Sequence, residues 1–205
     1  NADNQVAIAK AGGIAPLVAL ARGGTDGQKV RAAGALWYLA VNADNKVAIA
    51  EGGRGGAAEP RLWQRQQQGG DREGGRHRDN QVAIAPLVAL ARGGTDRQKE
   101  YAAGALWYLA FNADNQVAIA RAGGIAPLVA LARGGTDGQK HWAAGALANL
   151  AGNAKNQVAI AKAGGIAPLV ALARDGTDGQ KEWGARALRT LARNRDNAVA
   201  IARAG

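Results

Sequence analysis

Residues 1–41 read NADNQVAIAKAGGIAPLVALARGGTDGQKVRAAGALWYLAV, and almost the same text returns as Asn112–Gly152 and Asn153–Arg193. Self-similarity at a period of 41 residues is the signature of a solenoid. Each unit buries its apolar side against its neighbours, so no single closed core forms. Such an architecture points to a binding scaffold and away from an enzyme.

The first unit shows how the text becomes structure. Val6, Ala7, Ile8 and Ala9 make Asp3–Ala11 a short apolar helix, which Gly12-Gly13 ends. Pro16 sits near the start of a second short helix, where its missing N–H costs little. Leu17, Val18, Leu20 and Ala21 supply its buried side, and Gly23-Gly24 stops it. Thr25 and Gln28 form a capping box that opens a third helix, about Asp26 to Val41. The same pair recurs as Thr95/Gln98, Thr136/Gln139 and Thr177/Gln180. In the third helix Ala32, Leu36, Leu39 and Ala40 lie on one stripe, and positions 31, 34, 38 and 41 on another. Gly34, Gly104 and Gly145 weaken the helices that hold them by about 1 kcal/mol relative to Ala. They are read as sites of close approach, by a neighbouring helix or by a ligand backbone.

Composition removes several classes of function. The 205 residues contain no cysteine, so disulfides and thiol nucleophiles are absent; there is also no serine, and His77 and His141 are the only histidines. No metal, cofactor or small-molecule substrate is expected, and no enzyme activity. No apolar run is long enough to cross a bilayer and no leader pattern opens the chain, so a soluble intracellular protein, cytoplasmic or nuclear, is expected. The absence of methionine suggests a fragment or processed form. Net charge is +10, from 26 Lys and Arg against 16 Asp and Glu. This permits binding to acidic peptides or nucleic acid, or simply solubilises an Ala-rich surface.

The three-helix unit, with its GGI–PLV–L junction and AAGALxxLA third helix, resembles the armadillo-repeat family. The resemblance covers 1–51 and 79–205, and it implies an all-α, right-handed α-solenoid. In family members such as importin alpha and beta-catenin, the third helices line a concave groove that binds extended peptides. A ladder of asparagines there holds the peptide backbone, with tryptophans nearby. Carried over, the ladder falls on Tyr38, Tyr108, Asn149 and Thr190, and the importin-type tryptophan on Gly34, Gly104, Gly145 and Arg186. Only Asn149 matches, which argues against binding of a classical nuclear-localisation signal, itself basic.

The pattern breaks over 52–78, GGRGGAAEPRLWQRQQQGGDREGGRHR. At face value this is a basic linker. Back-translated with free codon choice and shifted by one base, Gly56–Arg78 can encode ALRNLASGNANNKVAIAKAGGIA, the end of one unit and the start of the next. The stretch is therefore read as repeat-coding DNA out of frame, with Leu62 and Trp63 docking opportunistically and Pro60–Gln68 a possible short helix. Asp79–Gly94 lacks the junction, so its first and second helices are expected to fuse, kinked at Pro86. The units are then 1–41, 42–78 (degraded), 79–111 (shortened), 112–152, 153–193, and 194–205 as the first helix of a truncated repeat.

Eight of the nine aromatic residues fall on third helices. One row is Arg31, Tyr101, Trp142 and Trp183, and another is Trp37, Trp107, Ala148 and Arg189. With Tyr38, Tyr108, Asn149, Arg186 and Arg189 they form the candidate groove for an extended, acidic protein segment. Packing between adjacent helices is the competing role for the aromatics, and a local cap or inter-repeat hydrogen bond for Asn149. The function expected is a protein–protein interaction scaffold. The alternatives are a decayed or engineered array with no specific ligand, and charge-driven nucleic-acid binding, in which the Arg/Gly-rich stretch would make the contact. The uncapped ends of the array also invite self-association.

Overall fold

The structure is a computed structural model that describes residues 2–50 and 83–204. Among these residues there are thirteen α-helices and no strand. They are α1 (Ala2–Lys10), α2 (Ile14–Gly23), α3 (Asp26–Ala40), α4 (Ala43–Ala50), α5 (Ile84–Gly93), α6 (Asp96–Leu109), α7 (Ala113–Arg121), α8 (Ile125–Gly134), α9 (Asp137–Leu150), α10 (Ala154–Lys162), α11 (Ile166–Asp175), α12 (Asp178–Leu191) and α13 (Arg195–Ala204). The arrangement is a right-handed α-solenoid of three-helix units, and no single described helix is long and apolar enough to cross a membrane.

The local punctuation works as the text reads. Each third helix opens on a complete capping box, for example Thr95 Oγ1 accepting from the Gln98 amide while Gln98 Oε1 accepts from the Thr95 amide. Each intact first-to-second junction turns on a glycine in the left-handed region, Gly12, Gly123 or Gly164 (φ +80°, +75°, +74°). A Cβ is strained there, which is why the turn is glycine every time. The predicted buried stripe of α3 is buried, and its counterparts Leu106, Leu147 and Leu191 are fully enclosed.

Two hydrogen-bond ladders lock the units together. In the first, a buried asparagine of each later first helix donates to two carbonyls. Asn45 Nδ2 reaches Gln5 O and Leu39 O (3.0 and 3.2 Å), and Asn156 Nδ2 reaches Gln116 O and Leu150 O (both 3.1 Å). Asn115 does the same with Lys46 and Leu109, and Asn197 with Gln157 and Leu191. In the second, Gln98, Gln139 and Gln180 each donate through Nε2 to the backbone and side-chain oxygens of Asp26, Asp96 and Asp137.

The spacings in these ladders show how the interrupted region is accommodated. The first ladder steps by 40 residues except between Lys46 and Asn115, where it steps by 69. The second steps by 43 except between Asp26 and Gln98, where it steps by 72. Both differences, 69 − 40 and 72 − 43, are 29 residues. The third helices accordingly pack in unbroken succession, α3 on α6, α6 on α9 and α9 on α12. Helix α4 packs on both α3 and α6, with Asn45 and Ile49 buried like Asn115 and Ile119.

The expected fusion of first and second helices in Asp79–Gly94 does not occur at its described end. The helix starts at Ile84 after a turn at Ala83, with Pro86 inside its first turn and no kink to make. Because α4 carries the apolar residues of a first helix, it supplies that helix to α5 and α6. The out-of-frame reading of 52–78, the docking of Leu62 and Trp63 and the short helix at Pro60–Gln68 lie outside the described residues.

Replacing residues 52–83 by Ala-Gly-Gly should therefore preserve the stack. The connection from α4 to α5 falls from 33 residues, 51–83, to 4. The new junction copies the Ala-Gly-Gly at 122–124 and 163–165 that joins first to second helices in the later units. Urea unfolding should show a higher midpoint with the cooperative transition retained; a lower midpoint would mean that α4 is not the first helix of this unit.

Candidate functional site

The third helices carry the candidate residues, and packing of α3, α6, α9 and α12 brings most of them into one strip. Trp37 stacks on Tyr38 (ring centroids 5.3 Å apart) and reaches Tyr101 on α6 (5.6 Å) and Trp142 on α9 (4.9 Å). Trp107 continues the strip to Trp142 (5.0 Å) and to Trp183 on α12 (5.1 Å). Arg186 closes it, its guanidinium 5.0 Å from the Trp183 ring centre. The strip runs without a break across the interrupted region.

The sequence left open whether the aromatics pack or are presented, and the structure divides them. Tyr38 is 64% exposed, whereas Trp37, Tyr101, Trp107, Tyr108, Trp142 and Trp183 are half-buried. The tryptophans at 37 and 107 pack between units. A Cβ built on Gly104 would lie 3.0 Å from the Trp37 indole, and one on Gly145 would lie 3.0 Å from that of Trp107. The neighbouring helix, not a ligand, uses the bare backbone at these two glycines. Both indole nitrogens are buried with no hydrogen-bond partner, which is the cost of that fit. Where α9 has Ala148 in the tryptophan place, α12 has Arg186 in the glycine place. The large–small pairing is thus inverted at one junction.

Asn149 is buried, and its Nδ2 donates to the Trp107 carbonyl (3.2 Å), the inter-repeat bond that the sequence left as an alternative. Arg31, Arg186 and Arg189 are exposed. One residue missing from the candidates belongs beside them. Phe111 is 48% exposed, touches Trp107 and Tyr108 (5.8 and 6.3 Å), and lies under the Lys46 ammonium at 4.9 Å. The signal was available, since Phe111 follows Tyr108 by one helical turn and shares the repeat position of Val41, which is also exposed. Among the described residues, no three His, Asp or Glu side chains converge as a metal site.

His141 packs edge-on against Trp142 (4.7 Å). Burial lowers its pKa from the ordinary 6.5, with Glu182 pulling weakly upward. Below pH 6.5 the unfolded chain binds more protons than the folded one, so stability falls as pH drops through that value and the loss ends below the folded pKa. His141→Gln should flatten this slope in urea midpoints measured from about pH 5 to 8.

Comparisons with known proteins agree with this architecture. Residues 1–41 match the Armadillo/beta-catenin-like repeat. No curated protein matches the chain. The crystal structure of an engineered protein is 28% identical over all of this chain and 73% of its own, with a TM-score of 0.80. Computationally designed armadillo repeat proteins for modular peptide recognition superpose with a TM-score of 0.80 at 22% identity, over 99% of this chain and 75% of theirs. A designed armadillo repeat protein in complex with the peptide (KR)4 gives 0.79 at 21%, over 100% and 75%. Residues 1–41 thus match one armadillo repeat, the same junctions and capping boxes recur in the later units, and the solenoid that they build shares its fold with designed armadillo repeat proteins.

Proposed function

We propose that the chain is a peptide-binding scaffold and that an extended, acidic protein segment lies across the third helices. The carrying observation is the strip itself: half-buried aromatics held rigid by the stack, edged by exposed Tyr38 and Phe111 and ending at Arg186, Arg189 and Arg193. Rigid aromatics give contact area at low entropic cost, and exposed guanidiniums give direction to a charged ligand. The similar fold of the designed peptide-recognition proteins supports this use of the surface. One of them is in complex with a basic peptide. Arg186 and Arg189 on α12, with Arg193 just beyond its end, favour the opposite ligand charge here. Affinity would be gathered unit by unit, with Tyr38 at one end and the arginines at the other.

Fluorescence titration of acidic and basic extended peptides tests the reading. Acidic peptides should bind more tightly, and Tyr108→Ala and Arg189→Ala should each weaken them roughly tenfold, about 1.4 kcal/mol. Equal affinity for both charges, or no change in either variant, would remove this surface from the function.

A further inference from the structure

We propose that the segment bound across the third helices is bipartite: an uncharged apolar anchor sits on Tyr38, Val41 and Phe111, and an acidic group about six residues away sits on Arg186, Arg189 and Arg193. This rests on the peptide-binding reading and names the kind of segment the surface takes. The first observation is where the repeats differ. Aligned on the period, units 1–41, 112–152 and 153–193 differ at three of their first 25 positions (3, 10 and 23, numbered as in the first unit). They differ at seven of their last sixteen (30, 31, 32, 34, 37, 38 and 41). At 3.6 residues per turn, six of these seven, all except 32, fall within about 120° around the third-helix axis. The chain therefore repeats its framework and changes one face, the face that holds the aromatic strip.

Along that face the changes run in one direction. Positions 38 and 41 are Tyr38 and Val41 on the first unit, Tyr108 and Phe111 after it, then Asn149 and Gly152, then Thr190 and Arg193. The first part is apolar and open: Tyr38, Val41 and Phe111 are 64%, 44% and 48% exposed. Helix α9 gives a ligand side chain little to grip, since Asn149 is buried and bonded to Trp107 O, and Gly152 has no side chain. At α12, Arg186, Arg189 and Arg193 are exposed, and none forms an ion pair within the described residues.

Lys46 decides what the aromatic end accepts. Its counterparts Gln116 and Gln157 turn back to the carbonyls of Ala110 and Ala151 (3.0 and 2.9 Å). Lys46 instead places its ammonium over the Phe111 ring, so that ring face already holds a cation and repels a second one. An apolar side chain covers the exposed Tyr38, Val41 and Phe111 without that conflict. Packed helices lie about 9 Å apart, so the two steps from α6 to α12 cover about 18 Å, which about six residues of extended chain span.

Fluorescence anisotropy on the full chain tests this with labelled peptides of one composition, carrying a leucine and an Asp-Asp pair two or six positions apart, each in both chain directions. In its tighter direction the six-position peptide should bind roughly tenfold more tightly than the two-position peptide, and replacing its leucine by serine should lose about the same factor. Phe111→Ser and Val41→Ser, both at exposed residues, should each cut the advantage of leucine over serine to less than about threefold. The spacing comparison needs no substitution and is independent of how the variants fold. Equal affinity at both spacings, or a leucine advantage that survives both variants, overturns the bipartite segment; if acidic peptides still bind more tightly than basic ones, the peptide-binding reading stands without it. Loss of that charge preference removes both.

Discussion

Trp107→Ala should destabilise the chain by about 3 kcal/mol, the lower end of the range for a large aromatic truncated in a packed site. Trp107 packs on Tyr108, Phe111, Trp142 and Trp183, so its removal opens the centre of the strip. The value sits at the lower end because the indole N–H is buried without a partner, and losing it relieves part of the cost. The chain itself supplies the rescue. By repeat register Ala148 and Arg186 hold the places of Trp107 and Gly145, so Gly145→Arg should recover about 1 kcal/mol in the Trp107→Ala background. In the parent chain Gly145→Arg alone should be destabilising, because a Cβ there already meets the indole at 3.0 Å. A double-mutant cycle in urea gives the coupling, and a coupling of zero would show that tryptophan and glycine are not a matched pair.

Asn156→Ala should cost about 3 kcal/mol and divide the unfolding transition. The residue is 4% exposed, and its side-chain amide holds Gln116 O and Leu150 O, both from the preceding unit. Alanine loses both bonds and leaves the Leu150 carbonyl with the Asn153 amide alone. Stability in a solenoid is carried by contacts between adjacent units, so weakening one junction uncouples the blocks on either side. Two transitions by circular dichroism, or one broadened transition with a reduced denaturant slope, are expected. Asn156→Asp should be worse, since a carboxylate cannot donate to either carbonyl and would bury a charge. If both variants melt like the parent, the asparagine ladder does not hold the units together.

Much of the fold was legible because its signals are local. Thr25 and Gln28, Gly12 and Pro16 act within a few residues of themselves, and repetition at constant phase multiplied each weak signal. The candidate site was legible only as a set of positions. Tyr38 and Trp37 are adjacent in the chain, yet one is exposed and the other packs on the following unit, a difference that depends on Gly104, 67 positions later. Asn149 could be placed on the third helix but not assigned to Trp107, because that bond exists only once α6 and α9 lie side by side.

The repeat, its three helices, their caps and the solenoid class follow from the amino-acid text alone, since each depends on periodicity and on residues near in sequence. Tertiary packing decided that α4 completes the unit of α5 and α6, that the aromatic strip is continuous, and that Trp37 and Trp107 are spent between units. The physical reason is common to all three. Burial of a side chain is settled by the surface that covers it, and in this chain that surface comes from the neighbouring unit, 40 to 72 residues away.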